Sequence, residues 1–454
     1  MNLRSGLMVA SGFVLGICFG VLAPTVHGAL ADGQKGSNTY QQLSLFGDVF
    51  ERVRADYVTP EPASKLVYDA LNGMLAGLDP HSAYMNEQQY ADMQAETSGH
   101  FGGLGLEVTE TKGLITVISP IDGTPAAKAG IKPGDMIVAI NKKPVIGWSL
   151  NKAVNEMRGP VGSKITLTIK RHDVHKPIIA TLIRATIHVK AVKSKLYGNI
   201  GYIRLASFAQ NANRDIHKAI VHLKAESHDK VAGYILDLRN NPGGLLDQGV
   251  DVANDFLNSG EIVSTHGRHP ADDSVWYAHA NGDLTKGAPL VVMINAGTAS
   301  AAEIVTAALQ QNRRAIVLGT RSFGKGSVQT IFTIPGHGAL RLTTALYYTP
   351  SGQSIQDYGV QPDIVVHEAQ KSNDRFPILR EADMPHAFHN PSGLKAPPLP
   401  PRIPLPAVAK SIATYPPSNW PKFKIGNPAT DYQLQMALKL ANAMIAERRT
   451  PASQ

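Results

Sequence analysis

The chain has 454 residues, enough for two or three domains, and its 43% hydrophobic and 18% charged content describes an ordinary globular protein rather than a disordered one. Formal net charge is +8, but the basic residues are scattered, with no zinc-finger spacing and no interleaved stacking aromatics, so nucleic acid is not an expected partner. The single cysteine, Cys18, leaves the chain beyond its leader with no disulfide, no thiol nucleophile and no cysteine metal site.

Arg4 precedes an uncharged apolar run from Leu7 to Ala23, and Ala29-Leu30-Ala31 follows. The pattern is that of a secretory signal with a small-residue exit, and the run is almost long enough to span a bilayer. Residues 1–31 are therefore expected to be a signal peptide or an inner-membrane anchor. Either one exports the rest, to the periplasm or the cell envelope. Ile17 stands before Cys18 where lipid modification needs a small residue, so a lipid anchor is not expected.

Residues 32–98 form an N-terminal helical region: Leu43, Phe46, Val49, Phe50 and Val53 recur at helical spacing, as do Val67, Leu71, Met74 and Leu75. Gly and Pro punctuate residues 99–135 between the β-type runs Leu114–Ile118 and Met136–Ile140, and a strand over 164–171 closes a unit spanning 99–187. From about 198 strands alternate with helices. Strand 201–208 precedes a helix with Ile216, Ala219, Ile220 and Leu223 on one face. Strand 231–238 leads through Asn240-Asn241-Pro242-Gly243-Gly244 into a helix over 245–257, and strand 289–295 leads through Gly297-Thr298-Ala299 into a helix over 300–312. Strand 315–318, a glycine loop and paired strands 327–334 and 339–348 complete a layered α/β core at 188–370. The remainder, 371–454, is a C-terminal extension, proline-rich from Ala396 to Pro421 and ending in a helix over 431–447.

The chemistry gathers at two places. Ser300 stands where an apolar strand turns into a helix, so the first helical N–H groups point toward any negative charge on a bound substrate. Alone it reads better as an N-cap, the position serine favours. Residues 319–326, Gly-Thr-Arg-Ser-Phe-Gly-Lys-Gly, nearly spell a phosphate-binding loop, but Gly326 stands where a magnesium-binding hydroxyl is needed, and a strand follows instead of a helix. What remains is Lys325 between two glycines. A lysine acts as a general base only when neutral, which burial or a nearby cation achieves, and Ser/Lys pairs are a known nucleophile–base arrangement. Gln329 is the candidate to orient the amine, although four residues of extended strand would separate them by about 13 Å unless the loop curls. Backbone amides of Ala301 and of Gly243 or Gly244 are the candidate oxyanion donors.

These residues resemble the carboxyl-terminal processing peptidases, also called tail-specific proteases. The resemblance runs from about 40 to 366 and rests on Asp237-Leu238-Arg239-Asn240-Asn241-Pro242-Gly243-Gly244, Gly297-Thr298-Ala299-Ser300-Ala301-Ala302-Glu303-Ile304, Phe323-Gly324-Lys325-Gly326-Ser327-Val328-Gln329 and Tyr347-Tyr348-Thr349-Pro350-Ser351-Gly352. It implies an α/β, crotonase-like peptidase core with an inserted PDZ domain and N-terminal helices. It maps the nucleophile to Ser300, the base to Lys325 and the supporting glutamine to Gln329. Ala302 departs from the pattern, since members often carry a second serine there; that serine is not the nucleophile.

Residues 99–187 resemble the PDZ domain of this family. Gly102-Gly103-Leu104-Gly105-Leu106 is then the loop that receives a substrate's terminal carboxylate, the next strand takes the peptide as an added strand, and Leu104 and Leu106 line a pocket for an apolar end. Arg158 resembles an arginine that couples PDZ position to the active site. The resemblance also implies protein substrates held by their C-termini, a homodimer built through N-terminal helices, and a regulatory or adaptor protein. No metal or cofactor is expected, since no H-E-x-x-H or similar cluster occurs. Two rival readings are a PDZ scaffold without activity and a Ser/His/Asp hydrolase using His266, His269, His279 or His337.

Overall fold

A computed structural model describes residues 27–449, apart from 112, 122, 149, 173, 189–190, 371–379, 392 and 394–401. The apolar run from Leu7 to Ala23 lies outside the described residues, and among the described residues no helix is long and apolar enough to cross a membrane. The chain divides into two units at Ala70/Leu71. The first holds helix α1 (His27–Asp56) and the opening of α2 (Ala63–Ala76). On α1, Leu43, Phe46, Val49 and Val53 recur on one face as the sequence pattern predicts, and all are exposed within this chain.

The second unit begins with the rest of α2, a short strand β1 (Ala83–Met85) and helix α3 (Glu87–Ser98). Asn86 and Gln89 close a reciprocal capping box at the start of α3, and Gly99, at φ 72°, ends it. The next elements are β2 (His100–Gly103), β3 (Leu106–Thr111), β4 (Leu114–Pro120), α4 (Pro125–Lys128), β5 (Met136–Ile140), β6 (Lys143–Pro144), α5 (Leu150–Met157), β7 (Lys164–Lys170), β8 (Ile178–Ile183) and β9 (Ala185–His188). Strands β3-β4-β5-β7-β8 form a sheet with β3 at its edge, around its own core of Ile115, Ile137, Ile165 and Leu167. Strand β2 pairs antiparallel with β9, so this module is entered and left through one two-stranded ribbon.

The core follows in β10 (Val192–Tyr197), β11 (Ile200–Leu205), α6 (Ala212–Glu226), β12 (Gly233–Asp237), α7 (Leu246–Asn254), β13 (Glu261–Gly267), β14 (Ser274–Tyr277), β15 (Leu290–Ile294), α8 (Ala301–Gln311), β16 (Ile316–Gly319), β17 (Ser327–Ile334), β18 (Gly338–Tyr348), β19 (Ile364–Val365) and α9 (Tyr432–Arg449). Strands β11, β12, β15, β16 and β19 run parallel, with β10 antiparallel at one edge. Every residue of β12, β15 and β16 is buried, because helices cover both faces, and that is why these strands read as continuous apolar runs. Helices α6, α7 and α8 pack on one face. The other face is covered by α9, whose Leu434, Ala437, Leu440 and Ala441 meet Ile235, Val291, Met293 and Leu318. A second, antiparallel sheet takes β1-β18-β13-β14, with β17 also paired to β18.

Two features differ from the sequence expectation. Residues 32–98, read as helical, include β1, which pairs with Ala339, Leu340 and Arg341 of β18. The stretch from 371 onward, set apart as an extension, supplies the second cover of the central sheet. Arg239 anchors it: fully buried, it donates to Asp237 Oδ1 (2.9 Å) and Oδ2 (2.7 Å) and to Asp431 Oδ1 (2.8 Å) and Oδ2 (2.7 Å). Burial alone would raise the Asp237 carboxyl, but Arg239 and Arg204 hold it below its ordinary range.

Candidate active site

Ser300 sits between β15 and α8 with φ 56° and ψ −122°, a conformation strained for a residue with a Cβ and costing about 1–3 kcal/mol. Its surroundings enforce it. Ser300 N–H donates to Glu303 Oε2 (2.9 Å), Glu303 N–H donates to the Ser300 carbonyl (2.8 Å), and Ala299 N–H donates to the Asn241 carbonyl (2.9 Å). Gly243 packs so closely that a Cβ there would stand 2.7 Å from Ser300 Cβ and 2.8 Å from the Ala299 carbonyl. Thus the loop after β12 and the turn after β15 form one surface, as their matching strand-to-helix positions imply.

Lys325 lies in the turn before β17. Gly324 and Gly326 flank it because residues 356–357 come close: a Cβ on Gly326 would stand 2.6 Å from Gln356 N, and Gly324 holds φ +99°. The turn curls, and a bulge between Val328 and Gln329 shifts the start of β17, so Gln329 reaches back to the amine. Lys325 Nζ donates to Gln329 Oε1 (2.6 Å), and Gln329 Nε2 donates to Ser327 Oγ (3.0 Å) and Thr343 Oγ1 (3.2 Å), which fixes the amide's orientation. Thr343 Oγ1 in turn donates to Asp79 Oδ1 (3.0 Å). Burial lowers the lysine to about 8; Glu381, Glu303 and Asp79 oppose the shift and Arg341 adds to it.

The fully buried Glu303 carboxylate joins the two segments. Its Oε1 accepts from the Ser322 hydroxyl and from Gly324 N–H (2.8 Å), and its Oε2 accepts from Ser300 N–H and Lys325 N–H, both at 2.9 Å. Burial pushes Glu303 up to about 7, while these four donors pull it back. Phe323 N–H also donates to the Thr298 carbonyl (2.9 Å), tying the lysine turn to the serine turn directly.

The expected hydroxyl–amine hydrogen bond is not made. Ser300 Oγ lies 3.2 Å from the Tyr347 hydroxyl, and Lys325 Nζ is on Gln329, so each side chain has another neutral partner. Burial raises the Tyr347 phenol to about 12, and the Tyr347 main-chain N–H donates to the Gly326 carbonyl (2.8 Å), so β18 contacts both halves of the site. Gly243 is the glycine that lies against Ala301, where an added Cβ would stand 3.0 Å from Ala301 N, and its own N–H is taken by Asn241 Oδ1 (2.9 Å), while Gly244 packs against the Phe208 backbone. Sequence reasoning did not single out Glu303, Tyr347, Asp79 or Thr343. Glu303 and Tyr347 lay inside motif words without a role assigned, and Asp79 reaches the site only through strand pairing.

In the module at 99–187, Gly103, Leu104, Gly105, Leu106, Met157 and Arg158 line a groove of about 130 Å³ between the β3 edge and α5. Leu104 is also a core residue, whereas Leu106 is only partly buried. Arg158 stacks over Phe101 at 4.9 Å and reaches Asp92 of α3 at 3.9 Å, at the junction of groove and ribbon. Of the candidate histidines, His266 pairs with Asp273 (2.8 Å) and meets the Tyr348 ring edge-on, away from any partnership with Ser300. Among the described residues no group of three or more His, Cys, Asp or Glu is arranged to hold a metal ion.

A PDZ-like groove joined to a layered core that presents a serine at a helix head is the build of a serine peptidase. Residues 199–366 match the model of peptidase family S41, and residues 116–171 match that of the PDZ domain. A carboxy-terminal-processing protease of Bartonella bacilliformis is 55% identical over 332 residues, 73% of this chain and 76% of the relative. The carboxy-terminal processing protease CtpA of Bacillus subtilis is 37% identical over 335 residues, 73% of this chain and 71% of the relative. Among solved structures, the photosystem II D1 C-terminal processing protease is 30% identical, covering 70% of this chain and 92% of that one, with a TM-score of 0.42. The chain belongs to the carboxy-terminal processing proteases of peptidase family S41. It is a serine peptidase that acts on proteins and carries a PDZ domain.

Proposed function

We propose that Ser300 is the nucleophile and Lys325 its general base in an endopeptidase that engages the C-terminal region of its substrates through the PDZ groove. The Ser300 Oγ attacks the scissile carbonyl as its proton passes to the neutral Lys325 Nζ, and the carbonyl electron pair moves to the oxygen. Amides of Ala301 and of Gly243, once released from Asn241, or of Gly244 receive that oxyanion. Lys325 then donates the proton to the departing amine, and water repeats the sequence on the acyl-enzyme. Gln329 holds the amine for these transfers. The observation that carries this reading is the shared Glu303 carboxylate, which fixes a strained serine and a lysine lowered to about 8 in one frame. Cleavage of an unfolded protein with an apolar C-terminus tests it. Ser300→Ala and Lys325→Ala should each lose activity while keeping the fold, and full activity in either would refute the assignment.

The free edge of β3 beside Leu106 supports strand addition by a substrate tail, and the place of Arg158 beside Phe101 and Asp92 supports its coupling role. The exposed apolar face of α1 supports a homodimer through the N-terminal helices; a monomeric mass in solution would count against it. A regulatory or adaptor protein belongs to the same proposal. Arg4, the Leu7–Ala23 run and Ala29-Leu30-Ala31 support export to the periplasm or cell envelope, which cell fractionation tests.

A further inference from the structure

The match to the peptidase family ends at residue 366, yet residues 380–390 return to the lysine turn. Glu381 is fully buried there. On the near side of Lys325, Glu381 N–H donates to the Phe323 carbonyl (3.3 Å), and Arg380 Nη1 donates to the Ser322 carbonyl (2.7 Å). On the far side, Gly326 N–H donates to Gln356 Oε1 (2.8 Å), and Gln356 Nε2 donates to Glu381 Oε1 (3.2 Å). His81 Nε2 contacts both Glu381 oxygens, at 2.8 and 2.9 Å, and the His81 carbonyl accepts from Arg341 Nε (2.8 Å). Glu381 thus holds the turn before the lysine through its main-chain N–H and after it through its carboxylate and Gln356, and the carboxylate ties the turn to the segment that precedes β1.

We propose that Glu381 is a positioning residue for the peptidase reaction, fixing the Lys325 amine by bracketing the 322–326 turn from both sides. The inference rests on Lys325 being the base, and it assigns to the C-terminal segment a part in the chemistry as well as in the core. Glu381 also acts through charge. The groups that bear on the amine are Glu381, Arg341, Glu303 and Asp79, and Glu381 is foremost among those that favour its protonated form. Its negative charge therefore sets how alkaline the medium must be before the base is free.

Two variants of the full chain separate geometry from charge. Glu381→Ala removes the carboxylate half of the bracket and leaves the main-chain N–H in place. Glu381→Gln keeps an oxygen for His81 and Gln356 and removes the charge. Kinetics are read with an internally quenched fluorogenic peptide ending in alanine, from pH 6 to 10. Glu381→Ala is expected to lower kcat about 10- to 100-fold with KM nearly unchanged, the size of effect a displaced catalytic group produces. Glu381→Gln is expected to keep most of the kcat at alkaline pH and to move the midpoint of the kcat profile to lower pH. Wild-type kcat in Glu381→Ala, or an unmoved midpoint in Glu381→Gln, overturns the proposal. If thermal unfolding shows that Glu381→Ala does not fold, the Glu381→Gln midpoint decides alone. Lys325→Ala is measured in parallel, and retained activity there would sink the assignment of the base rather than the role of Glu381.

Discussion

Ser300 and Lys325 present their backbone amides to one and the same atom, Oε2 of Glu303, each at 2.9 Å. The two residues are thus held in register through their main chains, while their side chains remain free to change partners. Because every group on this carboxylate is a donor, an amide cannot replace it. In Glu303→Gln, whichever position becomes NH2 faces two donors. Each unsatisfied buried group costs about 1–3 kcal/mol, so a clear drop in the urea or thermal midpoint is expected together with loss of peptidase activity. An unchanged midpoint would show that the hub is dispensable.

The pH dependence follows from the lysine. Burial lowers its pKa to about 8, so the neutral, base-competent fraction is about one-tenth at pH 7 and near complete at pH 9. The kcat profile should climb about tenfold per unit below pH 7 and level off above about 9. The same shift bears on folding: between about 8 and the ordinary lysine value of 10.5 the unfolded chain binds a proton that the folded chain does not, so stability rises with pH across that window. A rate that falls above neutrality would contradict the base.

Tyr347 competes with Lys325 for the serine hydroxyl. Its phenol, raised to about 12 by burial, stays protonated throughout the working range. A neutral hydrogen bond contributes about 0.5–1.5 kcal/mol, so Tyr347→Phe should speed labelling of Ser300 by a fluorophosphonate about 2- to 10-fold. Slower labelling would mean that the phenol assists the nucleophile instead of restraining it.

Arg239 offers a stability test remote from the chemistry. Replacing it with alanine strands Asp237 and Asp431 in a dry interior, which should destabilise the fold by about 3–5 kcal/mol. Calorimetry of Arg239→Ala checks this, and a change below about 1 kcal/mol would show that water reaches the pair.

The PDZ groove is tested at Leu106, which is only partly buried, and not at Leu104, whose replacement would damage the module's core. Leu106→Asp should lower kcat/KM roughly tenfold for a peptide with a free apolar C-terminus. The same peptide with an amidated C-terminus should be affected much less. Equal losses on both would place recognition elsewhere.

The sequence announced most of the core. The all-apolar strands flanked by Gly-rich turns, the amphipathic spacing of Ile216, Ala219, Ile220 and Leu223, and the paired strands 327–334 and 339–348 all appear in the fold within a few residues. Gln329 was legible as a candidate only by assuming a curl, which the glycines and the bulge supply. Three kinds of information were hidden. Strand β1 is three residues long, too short for a period to show, and forms because β18 offers it partners. The role of Glu303 is to accept from four donors, a property of the assembled turns and not of its neighbours in sequence. The reach of Glu381 and Asp431 depends on tertiary contacts with Phe323, Gln356 and Arg239, far away in sequence, which no local pattern states.

The placement of α9 has a consequence for how the enzyme comes into being. The strands that flank Ser300 are all synthesised well before residue 432, but their second face stays bare until Leu434 to Ala441 arrive. A nascent chain therefore carries its whole catalytic constellation before it owns a finished hydrophobic interior. Competence is deferred until the helix that begins at residue 432 is made, and a chain cut short before it should be a client for proteolysis before it can be an agent of it.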